Sequence, residues 1–302
     1  QGNELDPVLV TRHLRFSLPY RAVFSQTLRE VTLTRLIDAQ ALLLVRLHLA
    51  GFYWGDVSLS NTLFRRDAGA FAAYLVDAET GELYPELSRG QREYDLEIAR
   101  VNIAGELMDL AEGGLIEDSV DPLDTSERIM KSYRNLWAEL TEKESVDELT
   151  IRTTPDGSQV QLQPKVVDAG HHQRRLLRLT GLDAQENQAR RLLNDMDSYR
   201  ADNHPELDEE LSAHLWVTQV FEPIVKSVPR ELGSKLEQAE VVHEVLEHRW
   251  YMSEKENRNV PMAEAVQSYL NTVLRHRRDE AAILLSTDTR TMNILESGGA
   301  PE

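Results

Sequence analysis

The stretch "GFYWGDVSLSNTLFRRDAGAFAAYLVDAETGE", from Gly51 to Glu82, decides how the first half of the chain is interpreted. Asp56 and Asn61 stand five residues apart in it, and Asp77 ends an apolar run. Two strand candidates, "NTLFRR" and "FAAYLVDA", flank the turn signal "DAG", which predicts a β-hairpin. Such a hairpin returns Asp77 to the loop that holds the other two side chains. The same residues are also compatible with a plain pair of turns.

Helical periodicity surrounds this stretch. From residue 32 to residue 50 the apolar residues keep helical spacing on most faces, which predicts a buried helix that stops at Gly51. A second helix is predicted over 93–112, before the glycine pair 113–114, and a third over 126–143. The hairpin and its loop therefore lie between a buried helix and a helical segment.

The bulk composition narrows the possible partners. A chain of 302 residues has room for one large domain or two ordinary ones. Its net charge of −18 disfavours a nucleic-acid partner, because phosphates are repelled. The lack of cysteine excludes disulfides and thiolate zinc sites and fits a reducing compartment. No run approaches the ~18 apolar residues of a membrane helix, so no membrane span and a cytoplasmic location are expected.

The composition changes close to residue 150, where we place a domain boundary between residues 1–150 and 151–302. The run "ELTIRTTPDGSQVQLQPKVVD" predicts a leading β-hairpin around Pro-Asp-Gly. Beyond it the pattern is helical, and the tail from about residue 287 is expected to be disordered. The predicted helices cover residues 171–180, 183–199, 208–226, 234–252 and 262–285.

The spacing of Asp56, Asn61 and Asp77 has a chemical reason. Phosphoryl transfer from ATP needs a carboxylate that orients the proton of the attacking hydroxyl, and oxygen ligands that hold Mg²⁺. Mg²⁺ prefers hard oxygen ligands and keeps several waters, so a carboxylate and an amide oxygen are a sensible protein contribution. The hairpin predicted above would bring these groups to one ion.

"WGDVSLSN" resembles the catalytic loop of protein-kinase-like enzymes, in the "HGD-x-x-x-x-N" version of aminoglycoside phosphotransferases and small-molecule kinases. "YLVDAE" is similar to their metal-binding "ID-x-E" segment, and "YDLEIA" resembles their "DLA" helix start. The resemblance implies that Asp56 is the catalytic base, that Asn61 is a metal ligand and that Asp77 is the principal metal ligand. It also implies that Asp95 supports the catalytic loop.

The chain as a whole resembles a bacterial family of unknown function grouped with the lipopolysaccharide kinases. Its members carry this lobe followed by a helical domain with runs like "ENQARRLLND" and "EVLEHRWYMSE". The resemblance implies an α+β, predominantly α fold: a protein-kinase-like C-lobe, then a mostly helical accessory domain with a leading β-hairpin. The function it implies is ATP- and Mg²⁺-dependent transfer to a hydroxyl of an unidentified acceptor.

The sequence also departs from the kinase pattern. Trp54 stands where a histidine usually precedes "GD", and no lysine occurs before Lys131. A glycine-rich loop and a strand lysine that pair the phosphates of ATP are therefore not found upstream. We expect the N-lobe to be absent from this chain, with a strand over residues 6–14 leading into the hinge. A catalytically inactive pseudokinase, acting as a protein-interaction scaffold, is the alternative function.

Other patterns are given structural interpretations. His243 and His248 in "VVHEVLEHRW" are five residues apart, whereas a zincin helix needs four, so we predict a structural role for both. "RRLLRLTGLDAQENQARRLL" has the outline of a helix–turn–helix, which conflicts with the acidic net charge. The arginines of "AGHHQRRLLRL" are predicted to form a solvated face, with anion binding as the alternative.

Overall fold

A computed structural model describes residues 13–25, 28–146 and 170–281 of the chain. In these ranges the protein is α+β and predominantly α, which confirms the predicted class. Of the strand predicted over 6–14, only His13 and Leu14 are described, and neither lies in a strand. The hairpin predicted over 148–168, the boundary near residue 150 and the tail from 287 lie outside the described residues.

The first unit, residues 13–146 as described, is built around one apolar helix. This helix packs against a second long helix and against the hairpin, with Leu36, Ile37 and Leu44 in the core. It stops before Gly51, as predicted, and a side chain at Gly51 (φ 77°) would lie 2.0 Å from the Tyr84 carbonyl oxygen. The helices of this unit are α1 (Tyr20–Phe24), α2 (Glu30–Leu49), α3 (Arg89–Glu112) and α4 (Pro122–Val146).

The strands of the first unit form two small antiparallel sheets. The strands are β1 (Leu18–Pro19), β2 (Phe52–Tyr53), β3 (Thr62–Asp67), β4 (Ala70–Leu75) and β5 (Glu82–Leu83). One sheet has the order β1-β3-β4, and the other pairs β2 with β5. The predicted hairpin is the β3–β4 pair, whose register matches Thr62 with Leu75 and Asp67 with Ala70.

The hairpin turn consists of two residues with left-handed backbone conformations, Ala68 (φ 50°) and Gly69 (φ 80°). Two positive φ values match the turn type that fits the twist of the flanking strands. Alanine in this region costs about 1–2 kcal/mol. The N–H of Ala68 donates to the Glu240 carboxylate at 2.9 Å, which helps to hold the turn in place.

The second unit, residues 170–281, is helical and has its own apolar core, which includes Trp216 and Tyr269. The helix predicted over 208–226 is interrupted by a π-helical turn at Val217–Phe221. Pro223 lies two residues after this turn, at the start of the next helix. Because proline has no N–H to donate to the preceding turn, the regular α-helical hydrogen-bond pattern is broken at this point. The helices are α5 (His171–Thr180), α6 (Glu186–Asn203), α7 (Glu209–Trp216), α8 (Glu222–Ser227), α9 (Gln238–Glu256) and α10 (Met262–Thr272).

The helix predicted over 262–285 ends at Thr272, earlier than expected, and a short 3₁₀ turn follows it. The chain then folds back onto the rest of the molecule. Arg277 pairs with Glu244, and Glu280 lies 2.7 Å from Arg66 of the first unit. These ion pairs tie the segment to the helix that carries Glu244 and to the first unit.

The tip of the β3–β4 hairpin joins the two units. The Asp67 carboxylate accepts hydrogen bonds from the Gln188 backbone N–H at 2.8 Å and from the Asn187 amide at 3.0 Å. It therefore caps the first turn of α6, where the helix dipole favours a negative charge. Arg65 pairs with Glu237 at 2.6 Å on the same strand. The hairpin is thus held at its tip by the second unit.

Candidate functional site

The loop of residues 54–61 lies at the root of this hairpin, between β2 and β3. The backbone pairing of the hairpin continues one step past the strands, because the Val76 N–H donates to the Asn61 carbonyl at 3.1 Å. Asp77 is the next residue after Val76. The hairpin therefore returns the chain to the loop that holds Asp56 and Asn61.

One face of α3 holds this loop. Asp95, Asn102 and Glu106 are spaced by seven and four residues, a spacing that places them on the same side of a helix. Each of them bonds a different part of the loop. The loop is therefore fixed at successive points by a single rigid element.

Asp95 bonds the first part of the loop. Its carboxylate accepts the backbone N–H groups of Trp54 at 2.7 Å and Gly55 at 2.8 Å. Asp95 and Trp54 are both 0% exposed. A buried carboxylate is costly unless it is hydrogen-bonded, and here both oxygens are occupied. The resemblance implied that Asp95 supports the loop, and these bonds describe how the side chain contacts it.

A buried chain of hydrogen bonds continues from Asp95 to α4. His48 Nε2 lies 3.2 Å from Asp95, and His48 Nδ1 lies 2.7 Å from the Tyr133 hydroxyl. Burial raises the pKa of Tyr133 far above its usual value, so its hydroxyl keeps its proton. Because the Asp95 carboxylate can only accept, the ring takes the tautomer in which Nδ1 accepts from this hydroxyl. The Nε2–H is then left to donate to the carboxylate. His48 is therefore a structural bridge between α2, α3 and α4.

Two amides hold the side chain of Asp56. The Asn61 amide donates to Oδ2 at 3.3 Å, and the Asn102 amide donates to Oδ1 at 3.2 Å. Asn102 also donates to the Val57 carbonyl at 3.2 Å, so it fixes the loop backbone as well. Asp56 itself is exposed. Its carboxylate is oriented by the protein and remains open to a molecule from solution.

Glu106 holds the last part of the loop. Its two carboxylate oxygens accept the backbone N–H groups of Leu59 at 2.7 Å and Ser60 at 2.9 Å. These bonds lie directly before Asn61, and they fix the point from which its side chain extends. Neither Glu106 nor Asn102 is among the site residues predicted from the sequence.

Asp77 is exposed, and its Oδ1 accepts the Glu79 N–H at 3.2 Å. Among the described residues no group of three His, Cys, Asp or Glu side chains could hold a metal ion. The oxygen donors at this site are two carboxylates and one carboxamide. Mg²⁺ is commonly bound by one or two carboxylates together with water and substrate phosphates, so this donor set fits Mg²⁺.

Among the other sequence candidates, His248 and Arg175 have structural partners. His248 Nε2 lies 2.9 Å from the Ser268 hydroxyl, and Arg175 pairs with Glu209 at 2.7 Å. His243 is buried on α9 and lies beside a cavity between the two units. None of the described helices is long and apolar enough to cross a membrane.

The fold and loop define an α+β protein with an anchored polar loop, and comparison with known proteins adds one family. A model of a family described as a domain of unknown function (DUF4032) matches residues 144–274. The match covers most of the second unit and does not reach the loop, so the kinase-like interpretation of the first unit stays a prediction. No curated protein matches the chain.

Proposed function

We propose that the loop of residues 54–61 and the adjoining Asp77 form the catalytic site of a phosphotransferase that uses Mg²⁺ and ATP. The observation that supports this is the arrangement around Asp56. Its carboxylate is exposed to solvent yet oriented by the amides of Asn61 and Asn102, and the loop that carries it is fixed by α3. A general base that takes the proton of a substrate hydroxyl must be both oriented and accessible.

In the proposed reaction Asp56 accepts the proton of a substrate hydroxyl. The oxygen of that hydroxyl forms a bond to the γ-phosphorus of ATP as the bond between this phosphorus and the leaving oxygen of ADP breaks. The Asn102 amide orients the carboxylate, and Asp95 keeps the loop in position through Trp54 and Gly55. The acceptor is a molecule with a hydroxyl group, of a class the site does not specify.

Asn61 and Asp77 are the residues that would hold Mg²⁺. The Asn61 amide nitrogen faces Asp56, which leaves its oxygen as a ligand, and one oxygen of Asp77 has no hydrogen bond among the described residues. Bound Mg²⁺ would offset the negative charge of the phosphates. This matters in a protein of net charge −18.

The test is release of ADP from ATP by the purified full chain, with and without Mg²⁺. Asp77→Ala is expected to abolish the Mg²⁺-dependent release, and Asp56→Asn to lower it about 10²- to 10⁴-fold, the usual contribution of a general base. Glu97→Ala is the control, because Glu97 lies on the outward face of α3 and pairs with Arg100. Release that is independent of Mg²⁺, or unchanged in Asp77→Ala, would contradict the proposal.

A pseudokinase scaffold is the second candidate, and one sequence fact favours it. Residues 1–130 contain no lysine to bind the phosphates of ATP. A scaffold predicts no ADP release in any variant. It also predicts that Asp56→Asn leaves the melting temperature and any binding of ATP unchanged, whereas the enzyme loses turnover in that variant while keeping its fold.

A further inference from the structure

A cavity of about 600 Å³ lies between the two units, away from the loop of residues 54–61. The beginning of α2 and the turn of the hairpin form one wall, and α9 and α10 form the other. Its volume is in the range of small-molecule sites. The hairpin turn is about seven residues from Asn61 along a strand, or roughly 20 Å, so the cavity is separate from the proposed catalytic site.

The arginines that line the cavity are of two kinds. Arg66 and Arg277 are paired, the first with Glu280 and the second with a glutamate of α9. Arg29 and Arg35, near the start of α2, have no carboxylate partner in the part of the chain that the structure describes. In so acidic a protein, unpaired arginines beside a cavity create a local positive charge that an anion could neutralise.

His243 supplies a second, independent observation. It is 4% exposed, it lines the cavity, and its ring has no hydrogen-bond partner among the described residues. Its ring nitrogens keep contact with solvent, so a small molecule in the cavity can reach them. Burial lowers the pKa of His243, with Glu240, Glu244, Glu247 and Arg191 as the charged groups around it, so the ring is neutral near pH 7. A neutral imidazole offers a ligand one donor and one acceptor.

The acidic side chains of the cavity restrict the kind of ligand further. Glu240 already accepts bonds from Ala68 and Gln188, whereas Glu247 is exposed and has no ion-pair partner in the described ranges. A carboxylate in this position repels a bare anion and accepts hydrogen bonds from hydroxyl groups. The ligand that fits both walls of the cavity therefore presents an anionic group to α2 and hydroxyl groups to α9.

We propose that this cavity binds a small phosphorylated molecule with free hydroxyl groups, such as a sugar phosphate. Arg29 and Arg35 bind the phosphate, and His243 and Glu247 bind the hydroxyl groups. Because the ligand contacts α2 on one side and α9 on the other, it links the two units. A ligand that binds the folded but not the unfolded protein raises the free energy of unfolding, and well above Kd the rise is proportional to the logarithm of the ligand concentration.

The test is isothermal titration calorimetry, which measures the dissociation constants of the full chain for glucose 6-phosphate, inorganic phosphate and glucose. Glucose 6-phosphate is expected to bind most tightly, inorganic phosphate more weakly, and glucose without measurable affinity. Arg35→Gln is expected to weaken glucose 6-phosphate binding at least about tenfold, since a charge-assisted contact is lost. Arg46→Gln is the matched control: it removes the same charge from an exposed position on the same helix, outside the cavity.

Three results would overturn the proposal: no binding of glucose 6-phosphate at millimolar concentration, equal loss in the two arginine variants, or equal affinity for glucose and its phosphate. Tighter binding of inorganic phosphate than of glucose 6-phosphate would contradict the role given to Glu247 and His243. Both arginines are exposed, so both variants are expected to melt like the parent. Titration measures binding directly, so the result does not depend on the proposed phosphotransferase activity.

Discussion

Replacing Asp95 with alanine tests how the loop of residues 54–61 is held. The substitution removes the acceptor of two backbone N–H groups, on Trp54 and Gly55, and of the His48 ring. Asp95 and Trp54 are fully buried, so water cannot easily replace the lost carboxylate oxygens. A buried donor left without a partner costs about 1–3 kcal/mol, and three such donors sum to roughly 3–6 kcal/mol once partial relaxation is allowed for. Such a loss is a large share of a typical domain stability.

Asp95→Asn separates the hydrogen bonds from the charge. Asparagine keeps one side-chain oxygen, which can still accept a backbone N–H. Its NH₂ group takes the place of the other oxygen and cannot accept the hydrogen bonds that this oxygen accepted. His48 can change tautomer and accept from this NH₂ group, because the Tyr133 hydroxyl can accept as well as donate. We therefore expect the order of stability to be parent, then Asp95→Asn, then Asp95→Ala, with Asp95→Asn losing about 2–3 kcal/mol.

Urea unfolding followed by circular dichroism measures the global effect, and hydrogen exchange at the Trp54 and Gly55 amides measures the local one. Exchange is needed because the chain has two apolar cores, which can unfold separately. Glu97→Ala, on the outward face of the same helix, is expected to change neither quantity appreciably. If Asp95→Ala stays within about 1 kcal/mol of the parent, or if the two amides stay protected, the account of the loop is wrong.

Two further predictions concern half-buried carboxylates. Glu106→Ala should lower the free energy of unfolding in urea by about 1–3 kcal/mol, less than Asp95→Ala does. Of the two N–H groups that donate to Glu106, only that of Leu59 belongs to a buried residue. A loss equal to that of Asp95→Ala would contradict this. Burial raises the pKa of Asp195 in the folded protein, so the free energy of unfolding falls as pH rises from the unfolded to the folded pKa. Asp195→Asn, which keeps an acceptor for the Trp216 indole N–H, should remove that part of the slope. A slope that is unchanged on the alkaline side of about pH 4, the ordinary carboxyl pKa, would contradict this prediction.

The elements that the sequence predicts correctly depend on local signals. The apolar spacing of α2, the turn signal of the hairpin and the glycines after α3 each act within a few residues, so a single sequence shows them. The start of α3 was predicted at residue 93 and lies at Arg89. Ser88 and Gln91 form a capping box there, a local signal that was present in "SRGQ" and was overlooked.

The residues that contact Asp56 and its loop could not be predicted from local sequence signals. Asn102 and Glu106 carry no local mark, because a polar residue on an amphipathic helix is ordinarily solvated. Only the position of α3 against the loop gives them a role. Their spacing from Asp95 was the one available signal, and it becomes meaningful once Asp95 is assumed to face the loop. The cap that Asp67 provides to α6, more than a hundred residues later, depends on how the units dock and had no sequence signal.

The hairpin gives the second unit a mechanical connection to the loop. Its two strands are bonded along their whole length, from Thr62 and Leu75 at the root to the turn at the tip. At the tip, Asp67 caps α6 through bonds to a charged group, each worth about 1.5–3 kcal/mol. A movement of the second unit must therefore either break these bonds or carry the hairpin with it. Since Asp77 adjoins the root, a carried hairpin changes the position of Asp77 relative to Asp56 and Asn61, which α3 holds independently through Asn102 and Glu106.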